Sequence, residues 1–209
     1  HLNIIDPEKT LHDVLLDKAN IKEAIYSVNG IDVIPSSMFH KKSDVNPLRI
    51  KDKLKSLRGE YDSIILDSSP SLNEETLGVI LASDKILVVT TPDHPTLSAT
   101  IKSVKLAKNR GVPISGIILN KVHKKSFEVN IKDIEKTLNV PVLAVIGYDK
   151  NFMKSVSEMI PYPYLKPNSD ASNEYKKLAA SLIGAKYSPF SISDFFRLTP
   201  RLQDINREI

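Results

Sequence analysis

The 209-residue sequence has no cysteine, which removes disulfides, thiolate zinc sites, iron–sulfur ligation and thiol nucleophiles together. That absence suits a reducing, cytoplasmic setting. No uninterrupted apolar stretch approaches the roughly 20 residues that span a bilayer. The opening His1-Leu2-Asn3-Ile4-Ile5-Asp6-Pro7 lacks a signal-peptide pattern. It begins with His rather than Met, which reads as a chain processed, truncated or cut down from something longer.

Glycine is scarce, at seven residues, and offers little material for a phosphate cradle. A phosphate-binding loop needs G-x-x-x-x-G-K-[ST], in which backbone N–H groups surround the anion and a lysine neutralises it. Gly111 and Gly116 have the right separation, but Ile117-Ile118 stand where Lys and Ser/Thr belong, and Pro113 removes an N–H. No G-x-G-x-x-G appears. The five histidines form no H-x-x-x-H or H-E-x-x-H pair, and no G-x-S-x-G elbow is present. The 209 residues thus hold no self-sufficient catalytic centre.

What is present is ordinary for a globular protein: 41% hydrophobic residues, 26% charged, a formal charge of +4 and a pI near 9.0. The charge permits an anionic partner without naming one. Short Val/Ile-rich runs recur at Ile31-Asp32-Val33-Ile34, Ile64-Ile65-Leu66, Ile86-Leu87-Val88-Val89, 114–119 and 142–146. Most do not alternate with polar residues, as expected of strands buried on both faces of a parallel sheet. Between them lie helical stripes: Ile50, Leu54 and Leu57; Leu97, Ile101 and Val104; Phe127, Ile131, Ile134 and Leu138; Tyr175, Leu178, Ala179, Leu182 and Ile183. Thr10 and Asn20, with Asp13 and Glu23 three residues on, read as N-caps. The alternation predicts an α/β fold, a mostly parallel sheet with helices on both faces. No linker precedes residue 186, so one domain over 1–186 and a helical tail over 187–209 are expected.

Ligands of open parallel sheets bind beyond the carboxyl ends of the strands. Those ends carry Pro35-Ser36-Ser37, Asp67-Ser68-Ser69-Pro70, Thr90-Thr91-Pro92-Asp93, Asn120-Lys121 and Gly147-Tyr148-Asp149. Taken singly, each is accounted for as a helix cap, a turn or the end of a strand. Convergence on one edge is what makes them a candidate site.

The same residues resemble the MinD/ParA family of deviant P-loop ATPases, its archaeal MinD-like branch above all. Thr10-Leu11-His12-Asp13-Val14-Leu15 with Glu23-Ala24-Ile25-Tyr26 resembles the stretch after the first switch. Tyr61 through Pro70 is similar to the Walker-B-like strand and second switch, and Gly116-Ile117-Ile118-Leu119-Asn120-Lys121 to the base-recognition strand. Val140 through Ile146 and Tyr164-Leu165-Lys166-Pro167 resemble the family's last core strand and close, so the likeness covers 1–186.

The resemblance implies a P-loop NTPase-like fold without its N-terminal strand, phosphate loop and helix, which would leave two strand edges exposed. It implies ATP and Mg²⁺ as cofactors, a nucleotide-dependent homodimer, a regulatory protein partner and a role in cell division or spatial positioning. Asp67 would help hold the Mg²⁺ shell, through water, and Pro70 would shape the switch. Asn120 and Lys121 would read adenine, with Tyr148 and Asp149 beside the base. His123 replaces the Asp of a guanine-reading N-K-x-D, which favours adenine. Tyr148 departs from the Pro or small polar residue of the family pattern.

Two surfaces remain. Phe195, Leu198, Leu202, Ile205 and Ile209 form a stripe interrupted at Pro200. Because Arg197, Arg201 and Arg207 are balanced by Asp194, Asp204 and Glu208, docking onto protein ranks above membrane insertion for 187–209. Lys102, Lys105, Lys108 and Arg110 offer a basic helix face for non-specific DNA, ranked below a plain solvated face.

Overall fold

The computed structural model describes residues 2, 4–36, 45–69 and 73–187. Pro70 and all of the expected tail except Tyr187 lie outside these residues. The chain forms two compact units, His1–Asp84 and Lys85–Ile209.

The first unit opens with helix α1 (Leu11–Leu15). The Asp13 carboxylate accepts from the Thr10 backbone N–H (2.9 Å) and hydroxyl (2.7 Å), closing the expected capping box. A 3-10 turn over Ile21–Ala24 follows. There Asn20 accepts from the Lys22 N–H at 3.1 Å, and Glu23 from the Asn20 N–H at 2.8 Å. Strands β1 (Tyr26–Val28) and β2 (Ile31–Val33) then pair antiparallel. This corrects the reading of Ile31-Asp32-Val33-Ile34 as a buried parallel strand. Asn29 and Gly30 take φ of 51° and 81°, the left-handed pair that closes a two-residue hairpin, and Ile31 is exposed.

Helix α2 (Ile50–Lys53) is one turn set between 3-10 turns over Pro47–Arg49 and Leu54–Leu57, so the stripe of Ile50, Leu54 and Leu57 is not one continuous α-helix. Helix α3 (Glu74–Ala82) completes the unit, with the Asn73 side chain accepting from the Thr76 N–H at 3.0 Å. Val14, Ile21, Ala24 and Leu57 form the core. Asp17 ties α1 to α2 through Arg49 (2.6 Å) and Lys53. The expected strand at Ile64-Ile65-Leu66 is absent: no ladder forms there among the described residues, and Ile65 is 87% exposed. Apolar composition alone does not make a strand, because the backbone groups also need a partner.

The second unit is the open α/β layer. It runs β3 (Ile86–Thr90), α4 (His94–Asn109), β4 (Ile114–Val122), α5 (Ile131–Leu138), β5 (Val142–Gly147), α6 (Asn151–Ser157), α7 (Tyr162–Leu165) and α8 (Asp170–Leu182). The sheet has order β3-β4-β5, and both pairings are parallel. Leu97 and Val104 of α4 and Ile134 and Leu138 of α5 cover one face, packing with Ile117, Leu119 and Val142. Ile118, Ala144 and Ile146 point the other way, against Tyr162 and Ala171. Helices thus cover both faces, as expected. Phe127, read as the start of the α5 stripe, stands before the N-cap Asn130 and is exposed. Val89 of β3 is 60% exposed, and β3 has β4 as its one strand neighbour among the described residues.

Candidate functional site

Three strand ends meet at the carboxyl edge of this sheet. At the end of β3, the Thr90 hydroxyl is buried against that of Thr100 on α4 (2.8 Å), and Thr100 in turn donates to the Thr96 carbonyl at 2.9 Å. Asp93 caps α4 by accepting from the Thr96 N–H at 2.9 Å and from the Thr91 hydroxyl. Those bonds, the Thr91 one foremost, hold its carboxyl below the ordinary carboxylate range. Thr90, Thr91, Asp93 and Thr100 are thus occupied in building the edge.

The end of β4 is irregular. Leu119 pairs with Val145 and Val122 with Gly147, so three steps on β4 oppose two on β5. This is a bulge at Asn120-Lys121, and Lys121 takes the left-handed φ of 55°. That conformation costs a non-glycine residue roughly 1 kcal/mol. The Asn120 side-chain oxygen accepts from the Lys121 N–H at 2.9 Å, which ties the amide to the bulge. Beyond the bulge, Glu128 accepts from the His123 N–H (2.7 Å) and the Lys125 N–H (3.1 Å), closing the loop over 123–128.

After β5 come Tyr148 and Asp149. The Tyr148 N–H donates to the Val122 carbonyl at 2.9 Å, and its ring stacks on His123 with centroids 4.5 Å apart and planes 24° from parallel. Asp149 accepts from the Asn151 N–H (2.8 Å) and Nδ2 (2.7 Å) and from the Tyr162 hydroxyl (2.5 Å). The Tyr162 bond, then that from Asn151, lowers the Asp149 pKa. Burial first, and this bond second, raise that of Tyr162. With about four acceptor positions on a carboxylate and three in use, Asp149 has room for one more donor.

Val122, His123, Tyr148 and Asp149 border a cleft of about 400 Å³, with Asp170 and Glu174 of α8 on its far side. Glu174 is paired with Lys177 at 3.3 Å. The structure therefore brings Tyr148 and Asp149 onto one cleft and sets Asn120-Lys121 on the strand that feeds it. His123, Glu128 and the start of α8 were missed as site-forming by sequence reasoning. Only the ring at 123 carried a signal, as the residue replacing Asp after Asn120-Lys121. Asp67 lies in the first unit and is exposed.

The donor set can be compared with MgATP. The cleft has room for a ring system, two aromatic side chains and carboxylate acceptors for an amino group, all of which fit a nucleobase. Asp149, Asp170 and a Glu174 already paired with Lys177, against Lys124 as the one lysine bordering the cleft among the described residues, make a poor phosphate seat. Among the described residues no group of three His, Cys, Asp or Glu side chains is placed to hold a metal ion. The base end fits and the phosphate end does not.

Comparison with known proteins shows the family. Residues 1–114 match the family model described as an AAA domain. An ATP-binding protein of Methanocaldococcus jannaschii is 35% identical over 180 residues, covering 85% of this chain and 68% of that protein. Among solved structures, the cell division ATPase MinD of Pyrococcus furiosus superposes with a TM-score of 0.77 at 30% identity, covering 85% of this chain and 76% of that one. MinD of Pyrococcus horikoshii, solved with Mg-ADP, gives 0.78 at 28% identity, covering 87% and 76%. A family model over more than half the sequence, a 35% identical relative and a shared fold lead to one conclusion: the chain belongs to the MinD/ParA family of ATPases.

Proposed function

We propose that these 209 residues are the base-recognition and second-switch part of an ATP-driven molecular switch, whose phosphate grip lies outside them. The observation that carries this reading is the cleft at the ends of β4 and β5, in a fold shared with a MinD solved with Mg-ADP. Asn120 reads the adenine edge: an amide matches N6 and N7 of adenine as donor and acceptor at once. Its oxygen keeps a second lone pair beyond the bond from Lys121. Asp149 accepts one further donor. His123 supplies no carboxylate for the paired N–H groups of guanine, so adenine is preferred.

When bound, Mg²⁺ neutralises charge on the phosphate oxygens. Asp67 would help hold that ion, through water, and Pro70 would shape the switch. Nucleotide binding drives a homodimer, hydrolysis releases it, and a regulatory protein sets the rate. The cycle serves positioning in cell division, in the cytoplasm or at the membrane periphery through 187–209. No helix among the described residues is long and apolar enough to cross a membrane.

A non-catalytic interaction module and a DNA-partition ATPase are the rivals. The basic face of α4 supports the second weakly, because Lys108 is spent on the Leu138 and Asn139 carbonyls, each at 3.1 Å. Phosphate-release assays and sedimentation, on this chain and on the product of the complete reading frame, separate the readings. ATP turnover and ATP-dependent dimers are expected of the complete product only. A complete product that lacks a Gly-rich lysine loop and turns over no ATP would leave the non-catalytic module standing instead.

A further inference from the structure

Helices α6 and α7 are apolar on two sides. Inward, Phe152 and Tyr162 pack with Ile146 and Ala171 in the second core. Outward, Met153, Val156, Met159, Ile160 and Tyr164 are exposed, Met153 at 71% and Tyr164 at 69%. Apolar side chains scattered singly over a surface need no explanation, but a group gathered on two helices that pack together marks an interface. Two of the chain's three methionines are in it, and methionine is the side chain that best adapts its shape to a partner. Met159 ends α6 with a left-handed φ of 54°, where glycine would avoid roughly 1 kcal/mol of strain, yet the side chain displayed there is apolar.

The end of α8 sets what lies nearest this face. Gly184 takes a φ of 71° and the Ala185 N–H donates back to the Ala180 carbonyl at 2.8 Å, so the chain reverses. Tyr187 then lies back along α8: its hydroxyl donates to the Asn173 side-chain oxygen at 3.5 Å, and its ring centre is 5.9 Å from the Lys176 ammonium. Lys176 in turn donates to the carbonyl of Pro167, just past α7, at 2.7 Å. Residues 188–209 therefore start beside the end of α7. Their stripe of Phe195, Leu198, Leu202, Ile205 and Ile209 begins eight residues beyond Tyr187, a reach of up to about 26 Å, whereas α6 is about 10 Å long.

We propose that residues 188–209 turn back onto the outward face of α6 and α7, where Phe195, Leu198 and Leu202 cover Met153, Val156, Met159 and Tyr164. The short tether keeps this segment at high effective concentration over the face, so modest contact area suffices. Its balanced charges gain little from an anionic membrane, and they suit a face whose own flank, Lys154 and Glu158 at 3.6 Å, is balanced too.

The test uses the full 209-residue chain with labelled methionine methyl groups, which give three NMR signals. The absence of cysteine allows a single nitroxide to be attached at Gln203→Cys, and Met153→Leu and Met159→Leu assign the signals. Loss of the Met153 and Met159 signals is expected, with recovery when the nitroxide is reduced or when Leu198→Asp and Leu202→Asp are added. Unweakened Met153 and Met159 signals overturn the proposal, and co-sedimentation of that chain with anionic phospholipid vesicles would then assign the segment to lipid. Loss that vanishes when the doubly labelled chain is diluted into an excess of unlabelled chain overturns it as well, because the segment then lies on a second copy. Every substitution in the comparison with the reduced nitroxide is shared, so a poorly folding variant does not decide the outcome.

Discussion

At the scale of single residues, Asp149 shows how one carboxylate serves both architecture and site. It fastens the start of α6 and reaches Tyr162 on α7, and its pKa is lowered by those bonds. A carboxylate with a depressed native pKa contributes stability above its unfolded value of about 4, and that contribution is lost as pH falls through the native value. Tyr162→Phe should cost about 1 kcal/mol at neutral pH and flatten the acid limb of the stability profile. Urea midpoints between about pH 2 and 7 would check it. An unchanged acid limb would mean that the bond contributes nothing. Gly78 presents a different constraint. A Cβ there would lie 2.5 Å from the Pro47 carbonyl oxygen and 2.8 Å from its carbon, both backbone atoms. Gly78→Ala should therefore destabilise by about 1–3 kcal/mol despite the better helix propensity of alanine. A thermal midpoint at or above that of the parent would contradict this packing.

At the scale of elements, two apolar runs that look alike in sequence have opposite fates. Ile117 on β4 is 0% exposed and central to the core between the sheet and α4–α5. Ile65, in a run of similar composition, is 87% exposed. Ile117→Ala should cost about 2–5 kcal/mol, whereas Ile65→Ser should stay within about 0.5 kcal/mol of the parent. Chemical denaturation of the two variants side by side tests the contrast. Equal losses would place Ile65 in a core after all. This pair also marks how far the sequence could be read. The runs of β4 and β5 and the stripe of α4 were legible because apolar residues report burial. The stripe of α8 holds only in part, since Tyr175 and Leu178 pack on the second core but Leu182 and Ile183 are exposed. Residues 64–66 were not, since a strand needs a hydrogen-bonding neighbour and periodicity says nothing about neighbours. The hairpin of β1 and β2 was legible in principle from Asn29-Gly30 alone, a turn signal that the Val/Ile content of the run obscured. At the cleft, Tyr148 and Asp149 follow from the rule that sites lie beyond strand ends. His123, Glu128 and α8 come from distant stretches that only the folded chain brings near.

For the whole molecule, the modest formal charge of +4 sets the expected behaviour toward nucleic acid. Phosphate contacts gain their strength from counterion release, so binding through a few of them begins weak and fades further as salt rises. On duplex DNA this chain should show weak retention at low salt and none at about 150 mM, measured by fluorescence anisotropy. Tight retention at low salt that falls steeply as salt is raised would lift the partition reading above the division one. The two units also divide the chemistry. Every residue around the cleft belongs to the second, whereas Asp67 belongs to the first. On the proposed reading, base recognition is therefore a property of the second unit's own strands and loops.

The bulge in β4 has one more consequence. Ile117 and Leu119 face the core beneath α4 and α5, so strict alternation would turn residue 121 inward and residue 122 outward. Yet Val122 packs against that same core, and Lys121 is exposed. The strand miscounts by one at its end, and the miscount keeps an ammonium group out of an apolar interior. A full-length β4 with perfect parity would bury Lys121 and turn Val122 away, a far worse exchange than roughly 1 kcal/mol of backbone strain. Parity thus decides what the edge of the sheet displays: a valine anchors it from below, and the lysine faces water beside the residues that border the cleft.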